Sequence, residues 1–239
     1  MELPVRLSRT AATNTALTLG VAALDSMLGG GVETRRLHEI VPAGPFHLGA
    51  AAGFALGLAA RMERPGAIVW IQQGIAALEG GAPYAMGLDL FGIAPARQLM
   101  QRARAPRDAL WAMEESLRCP GVCAVIGEMS GAGEAADLTA TRRLNLVAED
   151  HGALPLLLRQ QALRGTSACA TRWRVHGLAG RGDGFGGIGR TAFMLALEKN
   201  RHGSCGDWRV EWDHEQRKFR AAFPVAVASP SLHRPHHAA

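Results

Sequence analysis

Four short apolar runs punctuate the first two thirds of the chain: one ending at Glu39-Ile40-Val41, AIVWIQ at 67–72, VCAVIG at 122–127 and PLLL at 155–158. They are continuous rather than alternating, the pattern of strands buried on both faces. Helical spacing fills the gaps. Residues 48–60 form one apolar helix in which Gly49, Gly53 and Gly57 recur, a spacing that lets its backbone lie close against a sheet. Residues 106–118 place Leu110, Met113 and Leu117 on one face and set Glu114 four positions before Arg118, the favoured order for an ion pair. Asp137 stands as the cap of a helix running to His151 with Ala140, Leu144 and Val147 as its stripe. A short helix within 17–31 precedes a glycine run. This alternation predicts an α/β fold with a parallel sheet flanked by helices. After Ala170 the period changes to two: 191–198, 207–213 with Trp208, Val210 and Trp212 on one face, and 216–223 predict antiparallel strands added at the C-terminal end. The glycine-rich stretch 177–190 reads as a flexible linker.

Composition narrows the class. With 239 residues, 48% of them hydrophobic and 20% charged, the chain is long enough for one α/β domain with a full core. No run approaches the roughly 18 apolar residues of a membrane span, and the start, MELPVRLSRT, lacks the apolar core of a secretion signal, so no membrane partner is expected. Cys119, Cys123, Cys169 and Cys205 show no paired spacing; reduced, mostly buried thiols are expected, and no metal site. The formal charge of +5 permits nucleic acid or acidic partners without selecting either.

The most informative segment is 37–59, LHEIVPAGPFHLGAAAGFALGLA. It has the order of a strand, a loop and a helix in a phosphate-binding loop, G-x-x-x-x-G-K-[ST], whose glycines admit backbone N–H groups to phosphate and whose Lys and hydroxyl serve phosphate and Mg²⁺. Framed on the strand, the corresponding positions hold Pro42, His47, Leu48 and Gly49, with Gly44 within the loop. Cation and hydroxyl are both gone. A hydrogen bond to a charged group contributes about 1.5–3 kcal/mol, so the Leu alone costs about ten- to a hundredfold in nucleotide affinity. The sequence predicts a vestigial phosphate loop, no cofactor and no ATPase activity.

The order of the pieces resembles the core of RecA recombinase and, more closely, the ImuA family, inducible mutagenesis proteins of a degenerate RecA-like, SulA-related superfamily. Residues 24–40, LDSMLGGGVETRRLHEI, stand where RecA proteins carry a leucine-rich turn and GGLPMGRIVEI. Residues 88–99, LDLFGIAPARQL, resemble LGVDIDNLL. ImuA character lies in WAMEESLR at 111–118, AVIGE at 124–128, DLTATRRL at 137–144, TRWRV at 171–175 and LEKNRHG at 197–203. The resemblance divides the chain into a flexible arm (1–16), a RecA-like domain (17–223) and a disordered tail (224–239). It also marks losses. Gln73 stands for the catalytic Glu, Gly127 for the Walker B Asp with Glu128 next to it, and Gln160 for a γ-phosphate sensor. The segments matching the DNA-binding loops, 130–136 and 161–166, are short.

What the resemblance implies is a non-catalytic adaptor in SOS-induced mutagenesis and translesion synthesis. Its expected partners are an ImuB-type polymerase-like protein, an error-prone polymerase α-subunit and, as a further candidate, RecA. It would act in the bacterial cytoplasm and at the nucleoid. Arg159, Arg164, Arg172, Arg174, Lys199 and Arg201 are its candidate contacts for a partner or nucleic acid, the four arginines expected in loops at the carboxyl edge of the sheet. The rivals are a SulA-like inhibitor of FtsZ, a divergent ATPase with Lys199 reaching a neighbouring subunit, and a direct DNA-binding module. Other features have plainer readings: Arg142 and Arg143 a solvated face, Trp208 and Trp212 core, and G-x-G-x-x-G at 184–189 a chance match with no strand before it. His233, His236 and His237 form no prepared metal site.

Overall fold

A computed structural model describes residues 16–130, 136–161, 166–180 and 189–222, with the side chains of residues 85 and 86 left aside. The elements run β1 (Ala16–Leu17), α1 (Ala22–Met27), β2 (Val32–Glu33), β3 (His38–Pro42), a 3₁₀ turn (Pro45–His47), α2 (Leu48–Ala60), β4 (Ala67–Gln73), α3 (Gly74–Gly80) and α4 (Ala85–Asp89). After a second 3₁₀ turn (Pro95–Arg97) come β5 (Gln98–Ala103), α5 (Pro106–Arg118), β6 (Val122–Met129), α6 (Leu138–His151), β7 (Leu154–Arg159) and β8 (Thr171–Leu178). The chain then adds β9 (Ala192–Asn200), β10 (Gly206–Asp213) and β11 (Lys218–Ala221). β1 and β2 pair with each other. The other nine form one sheet in the order β11-β10-β9-β8-β3-β7-β6-β4-β5, parallel from β8 to β5 and antiparallel from β8 to β11. The fold is thus α/β, with a mostly parallel sheet and antiparallel strands at its C-terminal end.

The continuous apolar runs occupy the interior of the sheet. β3, β6 and β7 are buried along their whole length, as strands covered on both sides must be. α2 covers one face over a core that includes Ile40, Phe54, Trp70, Ile126, Leu156 and Trp173; α5 and α6 cover the other over Val69, Ile71, Val125 and Leu157. The predicted caps and pairs are present. Asp137 accepts the Ala140 N–H at 2.8 Å, Gly152 closes α6 in the left-handed conformation, and Arg118 donates to Glu114 at 2.6 Å.

The structure departs from the sequence reading at several strands. Gln98–Ala103 is a strand at the sheet edge, polar because most of it faces outward. Thr171–Leu178 is a strand rather than a loop, alternating buried Thr171, Trp173 and Val175 with Arg172, Arg174 and His176. It takes the first two residues of the expected linker and so places a strand before G-x-G-x-x-G, although the next element is the strand β9, not a helix. Residues 184–188 of that motif, the arm before position 16 and the tail lie outside the described residues. Of the four thiols, Cys123 and Cys169 are buried while Cys119 and Cys205 are exposed; all four are free.

The glycines of α2 divide. A Cβ on Gly53 would meet the rings of Phe91 and Phe193 at 3.4–3.5 Å, and one on Gly57 would press on Phe219, 3.1 Å from Cε2, whereas one on Gly49 would meet nothing within 4 Å. The close neighbours are aromatic side chains, those of Phe193 and Phe219 coming from the antiparallel strands. Gly57→Ala is expected to lose about 1–3 kcal/mol by overpacking despite its better helix propensity, while Gly49→Ala leaves stability unchanged or raised. Urea denaturation midpoints of the two variants check this.

Candidate functional site

β4 leads outward to β5 and β6 leads inward to β7, so their connections diverge at the carboxyl ends of β4 and β6, where open α/β sheets form ligand crevices. α2 begins beside that point. A cavity of about 240 Å³ opens there, with Leu48 and Gly49 of α2 on one side, Trp70 and Glu128 at its base and Gly81, Tyr84 and Phe91 among the residues opposite.

The loop leading to α2 keeps the expected shape and turns its one basic side chain away. β3 extends by Ala43 N–H to the Val175 carbonyl at 2.9 Å, and Pro45–His47 makes a tight turn. His47 Nδ1 accepts the Gly177 N–H at 3.1 Å and its ring packs tilted on His176 at 5.2 Å, so it serves β8. Phe46, 99% exposed, stands at the tip. Leu48, where a nucleotide site has its cation, lines the cavity as an aliphatic wall.

Glu128 is the carboxylate of the crevice. Strand parity points Gly127 at Met113 of α5 and Glu128 toward α2, so of the two neighbours it is Glu128 that faces the crevice. Its Oε2 accepts from Trp70 Nε1 at 3.0 Å and Gln72 Nε2 at 2.9 Å, and its Oε1 from Gln160 Nε2 at 3.1 Å. All three donors are neutral. Burial pushes the Glu128 carboxyl up from its ordinary 4.5, against the hydrogen bonds from Trp70, Gln160 and Gln72. Gln73, read from sequence as the catalytic position, faces the other way and accepts the Ser130 N–H at 3.1 Å; it is Gln72 that reaches Glu128. The polar residues inside an apolar strand, WIQQ, were the signal for this network, but the sequence did not fix which of the two glutamines belongs to it.

A second polar group lies on the opposite face, beneath the strands that hold the predicted arginines. Glu39 on β3 is fully buried. Its Oε1 accepts from Arg159 Nε and Nη2 at 3.2 and 2.8 Å, and its Oε2 from Arg172 Nε at 2.8 Å, Ser167 Oγ at 3.0 Å and Cys169 Sγ at 3.3 Å. Burial raises its carboxyl, but Arg159 and Arg172 outweigh that and hold it below the ordinary range. Cys169, buried beside this carboxylate, has its thiol pushed up to about 11, so it stays neutral.

The predicted contacts therefore part ways. Arg159, 2% exposed, is a β7 side chain held inside the fold, not a surface contact. Arg172 and Arg174 belong to β8 rather than to a loop; Arg172 is tied to Glu39, and Arg174 pairs with Glu198. Lys199 and Arg201, at the end of β9, are gathered at the amino edge of the sheet, on the far side from the loop that leads to α2. Arg164 lies outside the described residues. Among the described residues no group of three or more His, Cys, Asp or Glu could hold a metal ion, and no helix is long and apolar enough to cross a membrane.

Fold and crevice together define an α/β protein with a strand–loop–helix crevice at the carboxyl ends of its central strands, where the helix start carries Leu48 and Gly49. No family model matches the chain. It is 31% identical over 229 residues to Protein ImuA of Caulobacter vibrioides, covering 88% of this chain and 90% of the relative, in each of two strains, NA1000 / CB15N and ATCC 19089 / CIP 103742 / CB 15. The chain belongs to the ImuA family, a family of inducible mutagenesis.

The raised Glu128 carboxyl has a definite pH signature. Between its ordinary and folded values the folded state holds a proton that the unfolded chain has released, so stability falls as pH rises through that window. Glu128→Gln removes the titration. Its stability relative to wild type is expected to climb as pH rises above 4.5 and to level off once the folded carboxyl has also ionised, measured by denaturation midpoints against pH; a constant difference would mean that Glu128 titrates in the folded protein as it does in the unfolded chain.

Proposed function

We propose that this ImuA-family protein is a catalytically silent, RecA-like adaptor in damage-induced mutagenesis and translesion synthesis. It holds an ImuB-type polymerase-like protein and, directly or through it, an error-prone polymerase α-subunit; RecA is a further partner of the reading. The observation that carries it is the occupancy of the crevice. The carboxylate at the switch point is engaged by Trp70, Gln72 and Gln160, and the start of α2 offers Leu48 and Gly49 in place of Lys and Ser or Thr. Phosphoryl transfer depends on positioned charge and Mg²⁺ at the phosphates, and these residues supply neither. The apolar core on both faces of the sheet needs no nucleotide to hold it, so the fold can outlast the chemistry and its surfaces remain for partners.

Purified protein is expected to release phosphate from ATP at the buffer rate, unchanged by Glu128→Ala, and to co-purify with an ImuB-type partner; comparison with a chain ending at Phe223 tests whether the tail takes part. Hydrolysis abolished by Glu128→Ala would overturn the silent assignment, and loss of co-purification from the full chain would overturn the adaptor.

A further inference from the structure

A second concavity, of about 430 Å³, lies at the amino edge of the sheet, between α6 and the end of β9. Its floor is residues 168–170, the segment that crosses the sheet face into β8, with Leu146 of α6 beside it. Asn145 fixes this floor: its Oδ1 accepts the Leu37 N–H at 2.7 Å and its Nδ2 donates to the Ala168 carbonyl at 2.6 Å. Arg36, Arg142, Lys199 and Arg201 stand round the rim.

The four cations are only half neutralised. Arg36 pairs with Glu149 and lies 3.9 Å from Glu33. Arg201 shares the same Glu33 at 3.6 Å, and His202 contacts it at 3.0 Å. Arg142 and Lys199 have no carboxylate within ion-pair distance among the described residues; Lys199 Nζ donates to the Ser167 carbonyl at 2.6 Å. The interior adds no compensating charge, because Glu39 is already shared between two guanidiniums. The floor is uncharged, Cys169 being a neutral thiol, and Leu146 leaves 61% of its surface exposed.

We infer that this cleft docks an acidic segment of a partner protein carrying an apolar side chain between its carboxylates. The inference gives a surface to the adaptor reading and rests on it. Basic rim and apolar floor are complementary to both parts of such a segment, and opposite charges also speed the encounter. A nucleic-acid strand matches the site less well: its phosphates would meet the cations, but the lining holds no aromatic ring on which a base could stack, and Leu146 would stay uncovered.

The test uses the full chain and a fluorescein-labelled peptide with one central leucine flanked by aspartates and glutamates, followed by anisotropy. Binding is expected to weaken about tenfold or more when the leucine is replaced by serine, and by a similar factor in Arg142→Glu and Lys199→Gln proteins whose melting temperatures match the wild type. Equal binding to wild type and variants, or no effect of the leucine, overturns the inference. So does a labelled oligothymidylate that binds more tightly than the peptide and is lost in the same variants, since the cleft would then serve nucleic acid. Co-purification with the ImuB-type partner separates the two claims. If Arg142→Glu protein captures it as well as wild type does, the cleft assignment fails and the adaptor stands. If wild type captures nothing, the adaptor fails and the peptide titration alone decides the cleft.

Discussion

Glu39 is a charge buried at the middle of a largely apolar sheet, and the side chains of the neighbouring strands converge to pair it. An isolated buried carboxylate costs several kcal/mol, and removing one partner of a buried pair typically costs about 3–5 kcal/mol. Glu39 meets that demand by drawing Arg159 from β7 and Arg172 from β8 toward β3, and Ser167 and Cys169 from the segment between them. One of the strands it ties, β8, is the strand at which the parallel sheet turns antiparallel. Two guanidiniums answer one carboxylate, so Glu39 has no charge left over for the cations Arg36, Arg142, Lys199 and Arg201 that line the amino-edge cleft.

The opposite face handles its buried carboxylate differently. Around Glu128 the partners are an indole and two amides, which satisfy lone pairs without supplying charge, and the carboxyl moves up rather than down. The same residue type in the same sheet is thus pulled in two directions by its neighbours alone. A metal–phosphate group beside Glu128 would have to compete with donors already in place, and would find Leu48 where a counter-charge is required.

Much of the scaffold was legible in the residues. Runs such as AIVWIQ and VCAVIG must be buried on both faces, and the caps and ion pairs of α5 and α6 depend only on local spacing. β5 escaped because an edge strand buries little and shows no apolar signature. β8 carried a half-buried alternation, Thr171, Trp173, Val175, but its intervening arginines suggested loops. At the site, the missing cation and hydroxyl could be read directly, whereas the network could not. A strand changes face at every residue, so only the observed register decides between Gln72 and Gln73, or between Gly127 and Glu128. The rim arginines of the amino-edge cleft come from segments far apart in sequence, Arg36 before β3 and Arg142 on α6, and nothing local links them.

Trp70 joins the two themes of the crevice, since its ring lines the cavity and its N–H is committed to Glu128. Of the five tryptophans in the chain, Trp173 and Trp212 are sealed in the core and Trp111 is largely in solvent. Indole emission responds to nearby charge and solvent, so the Trp70 share of the emission reports on this one locality. A molecule entering the cavity, or a proton arriving on the carboxyl, alters the field across its ring and can be followed without a label.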